Sequence, residues 1–312
     1  MSQYIPERFL TVEDLARRFE VNEEWIKRRT GIERIYISQL SVLEMAFEAS
    51  KRLSEEYEGI IFISSKGATY IPYYMQLLKD LGKNETKFGL DIMDGFNGFV
   101  KAMYLTEYFL KEKFKRLLIV VSEKMSDFVR DDDIDTSILF SDMAVAMVVE
   151  LEDNVTIDYH QIQDLNYMDF LSLDSQKKLS MEGKQVYKFA VNNMIRIFKK
   201  LSEGINHSTK TVIVPHQANG RILQAVEKEL KKEKRNFELL NCVQDFGNTG
   251  SASIPVALLK RYRGEPFSLK NHIFISVSGG MSALGICWKE VKTLNENNYK
   301  NYGVTGYRVS NY

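Results

Sequence analysis

The stretch TVIVPHQANGRILQAVEKELKK, residues 211–232, contains a complete strand–loop–helix unit. Its first part, 211–216, is an apolar run rich in Val and Ile, which is typical of a buried strand. Its second part, 218–232, carries apolar residues at helical spacing. A buried strand that leads into an amphipathic helix predicts an α/β fold in which helices pack on a sheet.

The same alternation continues on both sides of this unit. Further buried strands are predicted at 59–65, 116–124, 144–152, 237–243, 272–280 and 283–291. Amphipathic helices are predicted at 41–57, 98–114 and 186–201. The pattern occurs once before about residue 150 and again after about residue 185, so we expect two similar halves, 1–152 and 185–294.

Two segments lie outside this pattern. Residues 153–184 are polar and irregular, and we expect them to connect the halves. Residues 295–312 form a polar, Tyr-rich tail with no clear period, which is expected to be disordered or to pack on a partner.

The composition narrows the possible functions. The 312 residues include 42 Lys and Arg and 42 Asp and Glu, so the formal net charge is zero and no nucleic-acid or membrane partner is expected. The N-terminus lacks a signal-peptide pattern and no apolar run could cross a bilayer, which predicts a cytoplasmic protein. Cys242 and Cys287 lie in apolar surroundings without metal-ligand spacing, so we expect buried, reduced thiols and neither a metal nor another cofactor.

Candidate functional residues follow the strands of the second half. His216 comes directly after the strand at 211–216, and Asn248 lies in the Gly- and Ser-rich turn FGNTGSASIP at 246–255. Open α/β sheets build their sites where strand ends face helix starts. A neutral imidazole and a carboxamide can both donate hydrogen bonds to a developing oxyanion. A helix cap and a tight-turn residue remain equally open interpretations of these two side chains.

A second candidate position lies in GLDIMDGFNGFVKAM, residues 89–103, where a strand leads through a turn into a helix. A cysteine at such a positive helix N-terminus would have a lowered pKa and would be a good nucleophile. The residue at this turn is Phe96, and a phenyl ring cannot accept an acyl group. Gly279 and Gly280, at the end of another strand, would allow backbone to approach a ligand or a loop closely.

Taken in order, these segments resemble the β-ketoacyl-ACP synthase III family. The resemblance runs from about residue 4 to 291 and is carried by collinear blocks, which are EEWIKRRTGIERIYI (23–37), FGLDIMDGFNGF (88–99), LFSDMAVAMVVE (139–150), MEGKQVYKFAV (181–191), VPHQAN (214–219), FGNTGSASIP (246–255) and SGGMSALG (278–285).

The resemblance implies a duplicated thiolase-like fold layered α-β-α-β-α, a homodimer, and condensation of an acyl-CoA primer with malonyl-ACP by a Cys–His–Asn triad. It places His216 and Asn248 at the His and Asn positions and Phe96 at the position of the nucleophilic cysteine. Substrate and CoA contacts are implied for a set of residues in the matched blocks: Trp25, Arg29, Gly183, Ala218, Asn219, Gly279 and Gly280. The implied partners are an acyl carrier protein and acyl-CoA or acyl-ACP thioesters.

The chain also departs from the family pattern. Asp94 and Gly95 replace small apolar residues of the family beside Phe96. Ser141, Met143 and Val145 replace three glycines of the next block. The loop at 131–135 is acidic where the family often has an arginine, which weakens the case for CoA. The sequence also begins where the first strand of the family should already have ended.

Four interpretations follow. The chain could decarboxylate malonyl or β-keto thioesters without a covalent step, using His216 and Asn248. It could be a non-catalytic subunit that pairs with a cysteine-bearing ketosynthase. Phe96 could be an engineered replacement in an otherwise active condensing enzyme. The fold could also serve only to bind a carrier or ligand. All of them require Phe96, His216 and Asn248 to meet at one cavity.

Overall fold

The computed structural model of the protein describes residues 1–68, 70–83, 85–150 and 155–290. The strands, numbered in chain order, are β1 Ser2–Tyr4, β2 Phe9–Thr11, β3 Arg34–Tyr36, β4 Gly59–Ile63, β5 Phe88–Ile92, β6 Arg116–Glu123, β7 Met143–Glu150, β8 Val155–Gln163, β9 Leu171–Leu173, β10 Leu179–Met181, β11 Thr211–Pro215, β12 Phe237–Leu239, β13 His272–Ser278 and β14 Ser282–Glu290.

The α-helices, numbered in the same way, are α1 Val12–Phe19, α2 Glu23–Thr30, α3 Val42–Ser50, α4 Tyr73–Asp80, α5 Gly98–Glu112, α6 Ile134–Ser137, α7 Gly183–Leu201, α8 Gly220–Leu230, α9 Val243–Phe246 and α10 Ser253–Tyr262. Short 3₁₀ turns occur at Met125–Phe128, Leu165–Phe170, Lys231–Glu233 and Gly250–Ala252.

Two sheets with the same strand order form the centre of the molecule. The first has the order β1-β7-β6-β4-β5, and the second, read from the equivalent edge, has the order β8-β14-β13-β11-β12. In each sheet the first three strands pair antiparallel and the last three pair parallel. The predicted architecture of two similar halves is therefore confirmed, although the second sheet includes β8, which precedes the predicted start of the second half at 185.

Helices cover both faces of each sheet. α3 packs on the outer face of the first sheet and α7 on the outer face of the second, with α4 and α8 beside them. α5 and α10 lie between the sheets and share one apolar core with both of them. The layers therefore follow the order α-β-α-β-α, as the resemblance implied.

The central strands are continuous apolar runs because both of their faces are covered. In β6, Leu117, Ile119 and Val121 pack between the sheets, whereas Leu118 and Val120 pack under α3 and α4. Alternate side chains of a strand point to opposite faces, so burying both faces requires an apolar residue at every position. This is why these strands could be recognised from the sequence.

The prediction of an irregular connection over 153–184 is wrong for much of that segment. β8 pairs with β14 along its whole length, from Val155 opposite Glu290 to Gln163 opposite Ser282. β9 and β10 form a separate hairpin. β8 is an edge strand with several partly exposed positions, so its polar residues hid it from a search for apolar runs. The predicted boundary at 152/153 and the predicted tail at 295–312 lie outside the described residues.

Candidate active site

The site forms where three connections meet: the turn between β5 and α5, the loop between β11 and α8, and the turn that precedes α10. Phe96, His216 and Asn248 belong to these three connections in that order, and all three line one cavity of about 70 Å³. Each of the three side chains is buried. The structure thus brings together three residues that the sequence separates by 120 and 32 positions.

Phe96 covers one face of the imidazole. Its ring lies 5.0 Å from the ring of His216 at an interplanar angle of 26°, and 6.0 Å from the ring of Phe140. Gly95 has φ +47°, and a Cβ built there would lie 2.4 Å from Ser278 Oγ. The backbone N–H of Phe96 donates to the same Oγ at 2.9 Å. The Phe96 ring therefore forms part of the cavity wall, and Ser278 holds the backbone of the turn that carries it.

His216 is held by its backbone and by one ring nitrogen. Its backbone N–H donates to the carbonyl of Ile275 at 2.7 Å, and Nδ1 lies 2.7 Å from Ser253 Oγ. Nε2 is buried and has no hydrogen-bond partner among the described residues. Burial lowers the pKa of His216 to about 3, against an opposing contribution from the Gly250 backbone. The imidazole is therefore neutral at pH 7.

Asn248 is fixed by its own turn. Its backbone N–H donates to Leu139 and its carbonyl accepts from Ser141, at 2.8 and 2.9 Å. The side-chain Oδ1 accepts from the N–H of Gly250 at 3.0 Å, and Nδ2 donates to the carbonyl of Ala218 at 3.3 Å. Of the two hydrogens on Nδ2, the described residues engage one.

The rest of the cavity wall is mostly apolar. The other lining residues are Leu139, Phe140, Leu171, Met181, Gly183, Val186, Tyr187, Ala190, Ala218, Asn219, Ile222 and Val277. A hydrogen bond made in such surroundings is electrostatically stronger than one in water. The arrangement can therefore stabilise negative charge on an oxygen that reaches His216 and Asn248.

The remaining sequence-predicted residues divide into two groups. Gly183, Ala218 and Asn219 line the cavity. Gly279 and Gly280 do not line it, but form the β13–β14 turn, where the N–H of Gly280 donates to the carbonyl of Leu171 at 3.1 Å. Through Leu171 these glycines support the wall from behind.

Trp25 and Arg29 also lie outside the cavity wall, on α2. The guanidinium of Arg29 lies 5.1 Å from the centre of the Trp25 ring, and its Nη2 lies 2.6 Å from Asp135 Oδ1. Asn219 Nδ2 donates to the carbonyl of Arg29 at 3.1 Å, which ties α2 to the start of α8. Asp135 of the acidic loop thus forms an ion pair with Arg29, the residue that the resemblance assigned to CoA phosphates.

Sequence reasoning missed one buried acid beside the site. Glu123, at the end of β6, accepts from the N–H and the hydroxyl of Ser65 at 2.9 and 3.0 Å, and from the N–H of Ser251 at 3.2 Å. Burial raises the pKa of its carboxyl to about 7. The Ser251 hydroxyl in turn donates to the carbonyl of Gly95 at 2.6 Å. The only sequence signal was an acidic residue at the end of an apolar run.

The two cysteines do not line the cavity. Cys242 and Cys287 are free and buried, as predicted, and burial raises the pKa of each thiol to about 12. Within the described ranges, no cluster of three or more His, Cys, Asp or Glu side chains could hold a metal ion. None of the helices described here combines the length and apolar character needed to span a membrane.

Comparison with known proteins gives two family matches. The profile of 3-oxoacyl-[acyl-carrier-protein (ACP)] synthase III matches residues 90–164, and the profile of its C-terminal part matches residues 202–289. A β-ketoacyl-[acyl-carrier-protein] synthase III from Acholeplasma laidlawii is 31% identical over 293 residues, which cover 90% of this chain and 94% of the relative. The synthase III of Listeria welshimeri is 30% identical and covers 92% and 97%.

Solved structures agree with these matches. The crystal structure of 3-oxoacyl-[acyl-carrier-protein] synthase III from Aquifex aeolicus superimposes with a TM-score of 0.82 at 29% identity, covering 92% of this chain and 97% of that one. The priming β-ketosynthase of the R1128 polyketide pathway has the same fold, with a TM-score of 0.82 at 24% identity over 93% and 95% of the two chains. By fold and by sequence, the chain belongs to the β-ketoacyl-ACP synthase III family.

Proposed function

We propose that this protein binds a malonyl thioester and decarboxylates it without forming an acyl-enzyme. One observation carries the proposal: Nε2 of a neutral, buried His216 has no partner among the described residues and lines the same cavity as the Asn248 carboxamide. A buried polar atom left unpaired costs about 1–3 kcal/mol, and a substrate oxygen would remove that cost.

The chemistry needs only an oxyanion site. The bond between the α-carbon and the carboxylate breaks, CO₂ leaves, and the electron pair moves onto the thioester carbonyl oxygen to give an enolate. His216 and Asn248 stabilise that oxygen by hydrogen bonding, because a histidine with a pKa of about 3 has no imidazolium proton to give at pH 7. The enolate carbon then takes a proton from water, which yields the acetyl thioester.

We propose an acyl carrier protein as the thioester carrier. The names of the relatives include this carrier, and the acidic loop at 131–135 disfavours binding of the CoA phosphates. Asp135 pairs with Arg29 at 2.6 Å, and Asp131 pairs with Arg18 at 3.0 Å. CoA phosphates would have to compete with Asp135 for the Arg29 guanidinium, which the resemblance assigns to them.

A second candidate function, that of a non-catalytic subunit, is favoured by the size of the cavity. A volume of about 70 Å³ is well below the roughly 300–1,000 Å³ of a typical small-molecule pocket. A thioester can reach the imidazole only when the Phe96 ring moves away from it. The outer edge of β5 is also free for pairing among the described residues, and the nearby Ile71 and Met93 are exposed, which supports a homodimer or a heterodimer with another ketosynthase.

We also propose that Phe96 is the native residue. The Asn97 side chain bonds Ser282 and Ser276 at 2.8 and 2.7 Å, and Ser278 bonds the backbone of Phe96. The neighbouring departures from the family pattern at Asp94 and Gly95 support the proposal, because the engineered replacement of one residue would not create them. The sequence of the source gene at this codon tests the proposal, and a cysteine codon would contradict it.

The test of decarboxylation uses malonyl-ACP, with acetyl-ACP measured by mass spectrometry. We expect wild-type protein to form acetyl-ACP, and His216→Ala and Asn248→Ala to lower the rate by about 10²–10³, the usual loss when one oxyanion donor is removed. Equal rates for wild type and His216→Ala would contradict the proposal. Inactive wild-type protein that co-purifies with a cysteine-bearing synthase would support the second candidate.

A further inference from the structure

We propose that Ser253 is a positioning residue that keeps the proton of His216 on Nε2. The inference rests on the proposed function only for the use made of that proton. Ser253 is the first residue of α10, and its side chain and that of His216 are both buried. Their contact, 2.7 Å between Oγ and Nδ1, leaves open which atom donates, and the surrounding bonds decide between the two directions.

The loop before α8 fixes the first of these bonds. The backbone N–H of Gln217 donates to Ser253 Oγ at 3.2 Å. The Gln217 side chain is itself held by backbone groups: Nε2 donates to Pro215 and Leu240, and Oε1 accepts from the N–H of Cys242. The Gln217 amide therefore points at Ser253 as part of a rigid loop, and the hydroxyl oxygen is an acceptor for it.

The hydroxyl hydrogen of Ser253 then has one available acceptor among the described residues, Nδ1 of His216. If Nδ1 carried the imidazole proton, Oγ would accept from both Gln217 and His216. Its own hydrogen would then be buried without an acceptor, because Ser253 Oγ has no other hydrogen-bond partner among the described residues. If Nε2 carries the proton, the hydroxyl donates to Nδ1, and the bonds of Gln217 N–H, Ser253 Oγ and Nδ1 are all made. The Nε2 N–H, which has no partner among the described residues, is then left to bind a substrate oxygen. The bonds then run from Gln217 to Ser253 to His216.

This direction determines what the imidazole presents to the cavity. Nε2 becomes an N–H donor, which can bind a carbonyl oxygen and can bind it more strongly as negative charge develops. In the other tautomer a nitrogen lone pair would face that oxygen and repel it. The Ser253 hydroxyl, which does not line the cavity, would thus decide whether His216 helps or opposes the reaction.

The experiment is ¹⁵N NMR of the full chain labelled at histidine, recorded at pH 7. The sequence has four histidines, and a His216→Gln variant assigns the His216 signals by their loss. We expect a protonated Nε2 and an unprotonated Nδ1 in wild type and in Ser253→Thr, which keeps the hydroxyl. Ser253→Ala is expected to lose this preference and to show a mixture of tautomers. Ser278→Ala, a buried serine that does not contact the imidazole, is expected to match wild type.

A wild-type protein with its proton on Nδ1 would overturn the inference, as would a Ser253→Ala variant with unchanged tautomer signals. These spectra are recorded without substrate, so they test the tautomer of His216 even if the protein forms no acetyl-ACP. Where acetyl-ACP does form, we expect Ser253→Ala to lower kcat at least tenfold with little change in KM, and Ser253→Thr to restore it. A wild-type kcat in folded Ser253→Ala would also overturn the inference.

Discussion

At the scale of single residues, Phe96 has two roles in this fold. It is a buried aromatic residue at the start of a helix, and it also covers the face of His216. The sequence already excluded a covalent step there, because a phenyl ring has no nucleophile. The sequence could not reveal that the ring stacks on the imidazole, since that contact joins two connections 120 positions apart.

Truncation of this ring separates its two roles. We expect Phe96→Ala to lower the free energy of unfolding by about 3–5 kcal/mol, the usual cost of a buried Phe→Ala change. We also expect it to raise the rate of malonyl-ACP decarboxylation, because the imidazole face becomes open. Urea unfolding and the mass-spectrometric assay measure the two effects. Phe99→Ala, three residues on and fully buried away from the cavity, should show the loss of stability without the gain in rate.

A nucleophile placed at residue 96 would meet a second obstacle, the hydroxyl of Ser278. This hydroxyl accepts the hydrogen bond of the backbone N–H of residue 96, so that N–H is not available to a thioester oxygen. We expect Phe96→Cys to be acylated slowly by acetyl-ACP, and Phe96→Cys with Ser278→Gly at least tenfold faster. Intact-protein mass spectrometry follows the reaction. Equal rates for the two variants would show that Ser278 is no obstacle.

At the scale of elements, α2 and the acidic loop show how a charge pair alters ligand binding. Arg29 is held between the Trp25 ring and Asp135. An ion pair at the surface is worth at most about 1 kcal/mol, so it lowers the affinity for a competing phosphate by up to about fivefold. The acidic loop could be recognised from the sequence, but the pairing of Asp135 with Arg29 depends on how the fold places α6 beside α2.

Removal of the ion pair between Asp135 and Arg29 should therefore increase the affinity for CoA. We expect Asp135→Asn to tighten CoA binding by up to about fivefold in isothermal titration calorimetry. Asp132→Asn removes the same charge from the same loop and serves as the control. If both variants tighten binding equally, the effect is the net charge of the loop and not the release of Arg29.

The elements also show what a sequence can reveal about this fold. β4, β6, β11 and β13 could be predicted because a strand covered on both faces must be apolar throughout. β8 could not be, because its partly exposed positions carry polar residues. The helix predicted over 41–57 is shorter in the structure and ends at Ser50. Its start is capped by Ser41 and its apolar face is buried, whereas the residues after Ser50 are mostly polar.

At the scale of the whole molecule, the site exists only because the two halves face each other. The residues alone left a helix cap and a turn open as interpretations of His216 and Asn248, and the family resemblance was needed to expect that they meet Phe96. Ser253 and Glu123 could not have been predicted, since serine and glutamate are common residues. Their roles depend on which backbone groups the fold brings to them.

Two buried groups give the stability of the whole chain an opposed pH dependence. The pKa of Glu123 is raised to about 7, so its contribution is full below about 4.5 and is lost as the pH rises through 7. The pKa of His216 is lowered to about 3, so its contribution is present above about 6.5 and is lost as the pH falls. Between these limits, from about pH 4.5 to 6.5, the two slopes offset each other.

In a Glu123→Gln variant, the pH dependence of the free energy of unfolding should show the contribution of His216 without the opposing one from Glu123. Relative to Glu123→Gln, wild-type protein is expected to lose free energy of unfolding on the order of 3 kcal/mol as the pH rises from about 4.5 to 7, at ~1.4 kcal/mol per pKa unit. Urea unfolding at a series of pH values measures the difference. Glu85→Gln, at an exposed side chain, should follow the wild-type curve. A constant difference between wild type and Glu123→Gln would mean that Glu123 keeps an ordinary pKa in the fold.

The most direct measurement of the central claim is a reaction of malonyl-ACP with the protein in D₂O, followed by mass spectrometry of both the carrier and the protein. We predict acetyl-ACP that carries solvent deuterium at its methyl carbon, no acyl group on the protein at any time, and product formation about 10²–10³ times slower with His216→Ala. Product formed equally fast by His216→Ala, or an acyl group found on the protein, would contradict an oxyanion site that works without a nucleophile.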